Sequence, residues 1–348
     1  MTAYFAMLTV PALAALGGIT RARLTLILVA ISYWLMIGFR LEVGMDWLNY
    51  IRIYEWRFEL GAGSSLLDAI TSVEPGFALL SWIAAATGGD IFLINAVSAV
   101  IFCWGFFAFA KRCPEPFLAV VAATPLVVIA MAMNLTRQSI AFGFIAYLFA
   151  TWEQRGTLAR IGFVMVAATF HFSALFVMVF VALSAKTTTF ARYAAAALIL
   201  AMIVAITLVA PGAWEAYSRL YISGKVQASG AIFHVAVLAG AGALYLLLES
   251  RRLAVEEESL LFRNLAIATL ASIPIAFLSS VAAYRFSLYL WPVAMFAFGA
   301  LPSLVPRPEG RLLCRLLIVV GSGVLLWVWL EYANNSAAWI PYRNWLIE

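Results

Sequence analysis

The residues of this chain whose types suit bond-making chemistry are few, and they stand at the ends of apolar runs. In order they are Arg40, Glu42, Asp46 and Tyr50 in FRLEVGMDWLNY, Glu74 in EPGF, Asn134, Arg137 and Gln138 in NLTRQ, His171 and Ser173 in HFS, Tyr284 and Arg285 in YRF, and Tyr342 and Arg343 in PYRN. Guanidinium groups stay charged and grip phosphate oxygens with a two-pronged fork, so Arg137 and Arg285, with Arg40, suit an anionic lipid head group such as a pyrophosphate. Held in that way, a pyrophosphate is stabilised as a leaving group. Asp46, Glu74 and His171 are each able to take a proton from an incoming hydroxyl, and the residues alone do not choose among the three. Tyr50, Gln138, Tyr284 and Arg343 are read as contacts to the remainder of such a substrate.

Each of these residues also has a plainer reading. An arginine at the end of an apolar run snorkels to the membrane interface, Asp46 and Glu74 can serve only to neutralise arginines, and a lone histidine such as His171 can be a packing residue. His234 follows directly on an outer loop and reads as interfacial. Most of the 12 Trp and 13 Tyr read as a membrane-interface belt.

The absences narrow the chemistry. The chain has no G-x-x-x-x-G-K phosphate loop, no G-x-G-x-x-G turn, no G-x-S-x-G elbow and no HExxH or CxxC spacing. ATP hydrolysis, nicotinamide chemistry and zinc proteolysis therefore drop out. No D-x-D pair occurs in the outer loops, so the reading includes no metal and no cofactor.

The elements that must position these residues are set by composition. Of 348 residues, 65% are hydrophobic and 11% are charged, with a mean hydropathy of +0.99, against roughly 25% charged in soluble domains. At about 20 residues per crossing, so much apolar sequence predicts an all-α polytopic membrane protein of about 11 to 13 transmembrane or half-membrane helices. Apolar runs fall near 2–18, 24–39, 91–110, 116–133, 135–152, 158–184, 193–210, 231–248, 264–283, 286–304 and 316–333. The segment 74–88 is short and begins with Glu-Pro, and the run 158–184 is long for one helix and carries His171 near its middle.

Charge bias chooses between topologies. If 74–88 only dips into the outer face and 158–184 folds as two short helices meeting at His171, fourteen of the 22 Lys and Arg gather on the cytoplasmic side, as the positive-inside tendency requires. The stretches 40–73 and 211–230 then form outer loops, together with the tail from 334. The net charge of +5 is read as a topology signal, with no nucleic-acid partner. Cys103, Cys113 and Cys314 show no metal spacing and are not expected to form disulfides. No repeat or linker separates out, so residues 1–348 are expected to form a single integral membrane domain.

The order FR-x-x-VG-x-D-x-x-x-Y (39–50), EPGF (74–77), N-x-TRQ-x-x-A (134–141), FH-x-SAL (170–175), YRFSLYLWP (284–292) and W-x-PYRN (339–344) resembles the EpsG branch of Wzy-type bacterial polysaccharide polymerases. The resemblance implies a multi-span architecture similar to GT-C glycosyltransferases, in the bacterial inner membrane with its active site facing the periplasm. It implies a metal-independent enzyme that lengthens exopolysaccharide, capsule or O-antigen, with undecaprenyl-pyrophosphate-linked oligosaccharides as donor and acceptor. Membrane lipids, a flippase and a chain-length-regulating co-polymerase are the partners it suggests. By the same resemblance the G-x-D loop implicates Asp46, the TRQ turn Arg137, the HFS turn His171 and the YRF turn Arg285. The loop 211–230 is expected to cover the cavity, with Arg219 and Lys225 toward phosphate or glycan.

Two other functions compete. A transporter or flippase of a lipid-linked sugar should continue its polar lining toward the cytoplasmic side and often shows repeated halves; the polar positions here cluster at one surface. A membrane O-acyltransferase using His171 as base needs a route for an acyl donor from the cytoplasmic side, and no polar residues mark one.

Overall fold

Most helices of this chain are apolar on every side, as in the 21-residue segment DIFLINAVSAVIFCWGFFAFA, and such helices are stable where lipid or protein surrounds them. The computed structural model describes residues 1–19, 22–55, 74–185, 187–209, 230–250 and 259–348. Their helices are α1 (Thr2–Leu16), α2 (Arg23–Gly38), α3 (Trp47–Tyr54), α4 (Pro75–Thr87), α5 (Asp90–Ala110), α6 (Pro116–Ala123), α7 (Thr136–Ala150), α8 (Thr157–Phe170), α9 (Val177–Leu183), α10 (Thr189–Val209), α11 (Ala231–Ser250), α12 (Ser259–Leu278), α13 (Ser280–Ser287), α14 (Trp291–Ala300) and α15 (Pro308–Tyr332).

Five helical stretches, Asp90–Ala110, Ala231–Ser250, Leu260–Leu278, Ser280–Leu304 and Pro308–Tyr332, are long and apolar enough to cross a membrane. Seven shorter apolar helices accompany them among the described residues. The protein is an all-α polytopic membrane protein. Among the described residues there is no strand, and the extended backbone pairs only as a single antiparallel bridge between Arg40 and Asn344.

Two short elements make the end of the bundle that carries the polar residues. The EPGF segment starts α4, whose 13 residues span only about 20 Å; Gly88, in the left-handed region at φ 69°, turns the chain straight into α5. The apolar run 158–184 breaks at His171. There α8 stops, His171 takes an extended conformation, and a 3-10 turn over Phe172–Phe176 leads into α9.

Three helix boundaries differ from those expected from apolarity. The runs 264–283 and 286–304 divide instead between Leu278 and Ser280, because the Ser279 hydroxyl accepts the Ala282 N–H at 3.3 Å and so caps α13. Helix α15 begins at Pro308 rather than near 316, since proline suits the first helical turn. After α6 the helix widens into a π-helix over Thr124–Ala132, which runs to the NLTRQ turn; hydropathy carries no sign of that change.

The buried core runs from Tyr4 to Trp339 and is dense in aromatics, with Phe102, Phe106, Phe142, Phe149 and Trp291 all fully buried. Helices α5 and α7 approach so closely that a β-carbon at Gly105 or Gly143 would overlap the other helix's backbone. A smaller cluster of Trp47, Tyr50, Tyr54, Phe77, Ile94 and Ile140 lies beneath the polar end. The C-terminal tail folds back over that end: Leu41 N–H donates to the Arg343 carbonyl (3.0 Å), Trp345 N–H to Phe39 (2.9 Å) and Gly44 N–H to Ala338 (2.8 Å). At the other end of α5's neighbours, Arg315 grips both oxygens of Glu115 at 2.8 and 2.7 Å.

Candidate functional site

Glu74 is the residue before α4. Pro75 at the first helical position fixes the turn, and the Glu74 side chain caps nothing in its own helix. Its carboxylate is therefore available to Arg137, the second residue of α7, and Arg137 Nη1 meets Glu74 Oε2 at 2.7 Å. The Arg137 guanidinium also lies 5.9 Å from the ring centroids of Tyr50 and Phe77, and the Arg137 backbone N–H donates to the Tyr50 hydroxyl at 3.4 Å. Its Nε is buried without a hydrogen-bond partner.

Gly76 packs against Thr169 and Phe170 at the end of α8, which carries Glu74 to His171; His171 Nδ1 is 3.9 Å from Glu74 Oε1. The other ring nitrogen, Nε2, is 3.1 Å from Arg285 Nη1. A guanidinium has only donors, so Nε2 faces Arg285 with its lone pair, while Nδ1 accepts from the Ser173 backbone N–H at 3.4 Å and lies 3.3 Å from Ser173 Oγ. Ser173 Oγ continues to the Tyr289 hydroxyl at 3.1 Å. Arg285 lies in the last turn of α13, where the helix dipole favours a cation. Its backbone carbonyl accepts from Gln138 Nε2 at 2.7 Å, which ties α13 to α7. Among the described residues, Arg285 pairs with no carboxylate.

Asp46 sits at the start of α3. Gly44, at φ 103°, lies against the Met133 carbonyl, where a β-carbon would overlap it; only glycine lets the loop pass so close. This contact seats Asp46, whose N–H donates to Asn134 Oδ1 at 3.0 Å. Among the described residues, the half-buried Asp46 carboxylate accepts one bond, from Asn49 Nδ2 at 3.4 Å.

Thus Glu74, Arg137, Gln138, His171 and Arg285 form one connected cluster, with Tyr50 against Arg137 and with Tyr284 beside Arg285. Arg40 does not join it as a ligand-facing group. Its guanidinium is 2% exposed and donates to the carbonyls of Ile37 (2.6 Å) and Val43 (3.3 Å), to Asn95 Oδ1 (3.1 Å) and to Thr136 Oγ1 (2.9 Å). Burial pulls its pKa down to about 10, leaving it charged at neutral pH, and all of its bonds go to the protein. The expectation that Arg40 binds pyrophosphate is corrected: it braces α2, α5 and α7. Arg343 also stands apart, exposed and ion-paired with Glu42 and Glu348. Arg219, Lys225 and the loop segments 56–73 and 211–229 lie outside the described residues.

Two participants, Tyr289 and His234, escaped the sequence reading. Tyr289 follows Arg285 by four residues, a spacing that places both on one helical face and could have flagged it. Ser173, singled out in the HFS turn, bridges His171 and Tyr289. His234, read as interfacial, is instead 1% exposed; it accepts from Trp291 Nε1 at 3.0 Å and packs edge-on against Tyr284 with centroids 4.9 Å apart.

Helices long enough to cross a bilayer, and a charged cluster gathered at their ends from five separate stretches of chain, define a polytopic membrane protein with a polar site at one end of its bundle. The chain belongs to the EpsG family, whose model matches residues 23–344. That membership implies a Wzy-like polysaccharide polymerase, a glycosyltransferase-type enzyme of a membrane. No curated protein and no solved structure matches the chain.

Proposed function

We propose that the protein polymerises undecaprenyl-pyrophosphate-linked oligosaccharide units at the periplasmic face of the bacterial inner membrane. The observation that carries this reading is the state of the two arginines. Arg285 has no carboxylate partner among the described residues, and Arg137 keeps a buried Nε without an acceptor beside its bond to Glu74. Two guanidinium groups with unused donors, at the end of a membrane bundle, suit a diphosphate joined to a lipid.

In the proposed reaction a hydroxyl oxygen of the acceptor unit attacks the anomeric carbon of the growing glycan. The bond from that carbon to the diphosphate oxygen breaks, and its electron pair leaves with the lipid diphosphate, stabilised by Arg285 and Arg137. The hydroxyl proton goes to His171 Nε2. This lone pair is covered by Arg285; a diphosphate that draws Arg285 to itself uncovers it. Glu74, 3.9 Å from Nδ1, then faces the imidazolium that forms, as a carboxylate does behind a catalytic histidine. Asp46 is the second reading for the base, favoured by a carboxylate that, among the described residues, accepts only from Asn49.

Arg137, Arg285 and the base carry the chemistry and Tyr284 contacts substrate, while the buried Gln138 and Tyr50 position Arg285 and Arg137. No metal or cofactor has a part in the proposal. The test is incubation of the purified protein with its lipid-linked repeat unit, without added metal or nucleotide, read by gel and by release of undecaprenyl pyrophosphate. A ladder with matching release is expected. No ladder, with movement of the same lipid across liposome membranes, would favour a transporter instead.

A further inference from the structure

Beside the polar cluster, α11 and α12 form an antiparallel pair, since Gly242 meets Thr269 and Tyr245 meets Phe262. They touch at Gly242, where Thr269 Oγ1 occupies the place a β-carbon would take. Along this pair they leave an apolar groove of about 380 Å³. Ala236, Ala239, Gly240 and Ala243 line it from α11, and Leu270 and Ile273 from α12. Gly240 is open toward it, with no atom within 4 Å of where a β-carbon would stand.

The groove runs up to the candidate site. Val235 and Ala276, which also line it, close on Ala283, two residues before Arg285. Val235 adjoins His234, and here an independent feature points to a ligand. Because Trp291 N–H donates to His234 Nε2, the neutral ring carries its hydrogen on Nδ1, and Nδ1 is buried with no acceptor. A buried donor left unpaired costs about 1–3 kcal/mol. One end of the apolar groove thus packs on α13 at Ala283, two residues before Arg285, which has no carboxylate partner among the described residues, and adjoins His234 with its unpaired N–H; this placement fits a ligand with a diphosphate head and a hydrocarbon tail.

We propose that this groove holds the first isoprene units of the lipid carrier, a placement that rests on the lipid-diphosphate reading of the Arg285 site. The small residues make room for a branched chain, and the Gly242–Thr269 contact limits its depth between the helices.

The experiment uses the whole protein in nanodiscs and undecaprenyl diphosphate carrying a diazirine in the isoprene units nearest its head. After illumination, labelled peptides are mapped by mass spectrometry. Label is expected on 232–243 and 270–277. Gly240→Leu fills the groove from an open position and raises helix propensity; it should cut the labelling about tenfold, the equivalent of excluding two methylenes. Ala236→Phe provides a second filling variant. Label on other segments, full labelling in both folded variants, or equal competition by phosphatidylglycerol would overturn the proposal. Labelling needs no turnover, so labelling in the groove without a ladder would refute the polymerase reading and leave the groove standing.

Discussion

Glu74 and Arg137 stand 63 residues apart in sequence and meet at 2.7 Å, one before the first turn of α4 and the other in the first turn of α7. Their side chains are 10% and 30% exposed, so each depends on the other for compensation. Glu74→Gln should therefore lower the melting temperature in detergent by leaving the Arg137 charge unbalanced, a loss of about 1–3 kcal/mol. Adding Arg137→Gln to it should restore part of the stability while polymer stays absent. A double variant no more stable than Glu74→Gln would show that the pair is not mutually compensating.

Arg40 separates architecture from chemistry. Arg40→Met leaves Asn95, Thr136 and two backbone carbonyls without their donor, which should cost about 3 kcal/mol or more, in the range for breaking a buried charged network. Thermal unfolding should report that loss, and turnover per folded molecule should stay within about threefold of wild type, under 1 kcal/mol. A stable Arg40→Met protein with no activity would return Arg40 to the binding site.

The two readings of the base differ in what their removal does. His171→Gln should reduce turnover about a hundredfold or more, the usual scale of general base catalysis, with little change in KM. Asp46→Asn should cost less than tenfold if His171 is the base. Reversal of these two magnitudes in turnover measurements would assign the proton to Asp46.

Gly44 offers a test of how Asp46 is placed. Gly44→Ala puts a β-carbon on a backbone at φ 103° and against the Met133 carbonyl. It should destabilise the protein by more than 1 kcal/mol and impair activity through the displaced loop. A melt and an activity profile indistinguishable from wild type would mean that this loop is not held as described.

Hydropathy was enough to recover the helical class, and the positive-inside charge bias, with the length of 158–184 and the histidine in its middle, recovered the interruption of that run. The short motifs likewise named Arg137, His171 and Arg285 as chemistry-bearing residues before any geometry was considered. What they left out depends on contacts distant in sequence. Arg40 at the end of α2 looks identical in sequence whether it snorkels outward or turns inward, and its environment includes Asn95, Thr136 and the returning tail at Asn344. Tyr289 looked like one more interfacial tyrosine until Ser173, 116 residues away, was seen to reach it. His234 was misread because the partners that bury it, Tyr284 and Trp291, come from helices far along the chain.

The claim at the centre of this account is that Arg285 holds the leaving diphosphate. Purified wild-type protein, Arg285→Lys and Arg285→Ala, each matched for folded protein, would be compared for ladder formation from the same lipid-linked repeat unit. The account predicts no detectable polymer with Ala and a loss of about ten- to a hundredfold with Lys, which keeps the charge without the planar fork. A wild-type ladder from Arg285→Ala would contradict it.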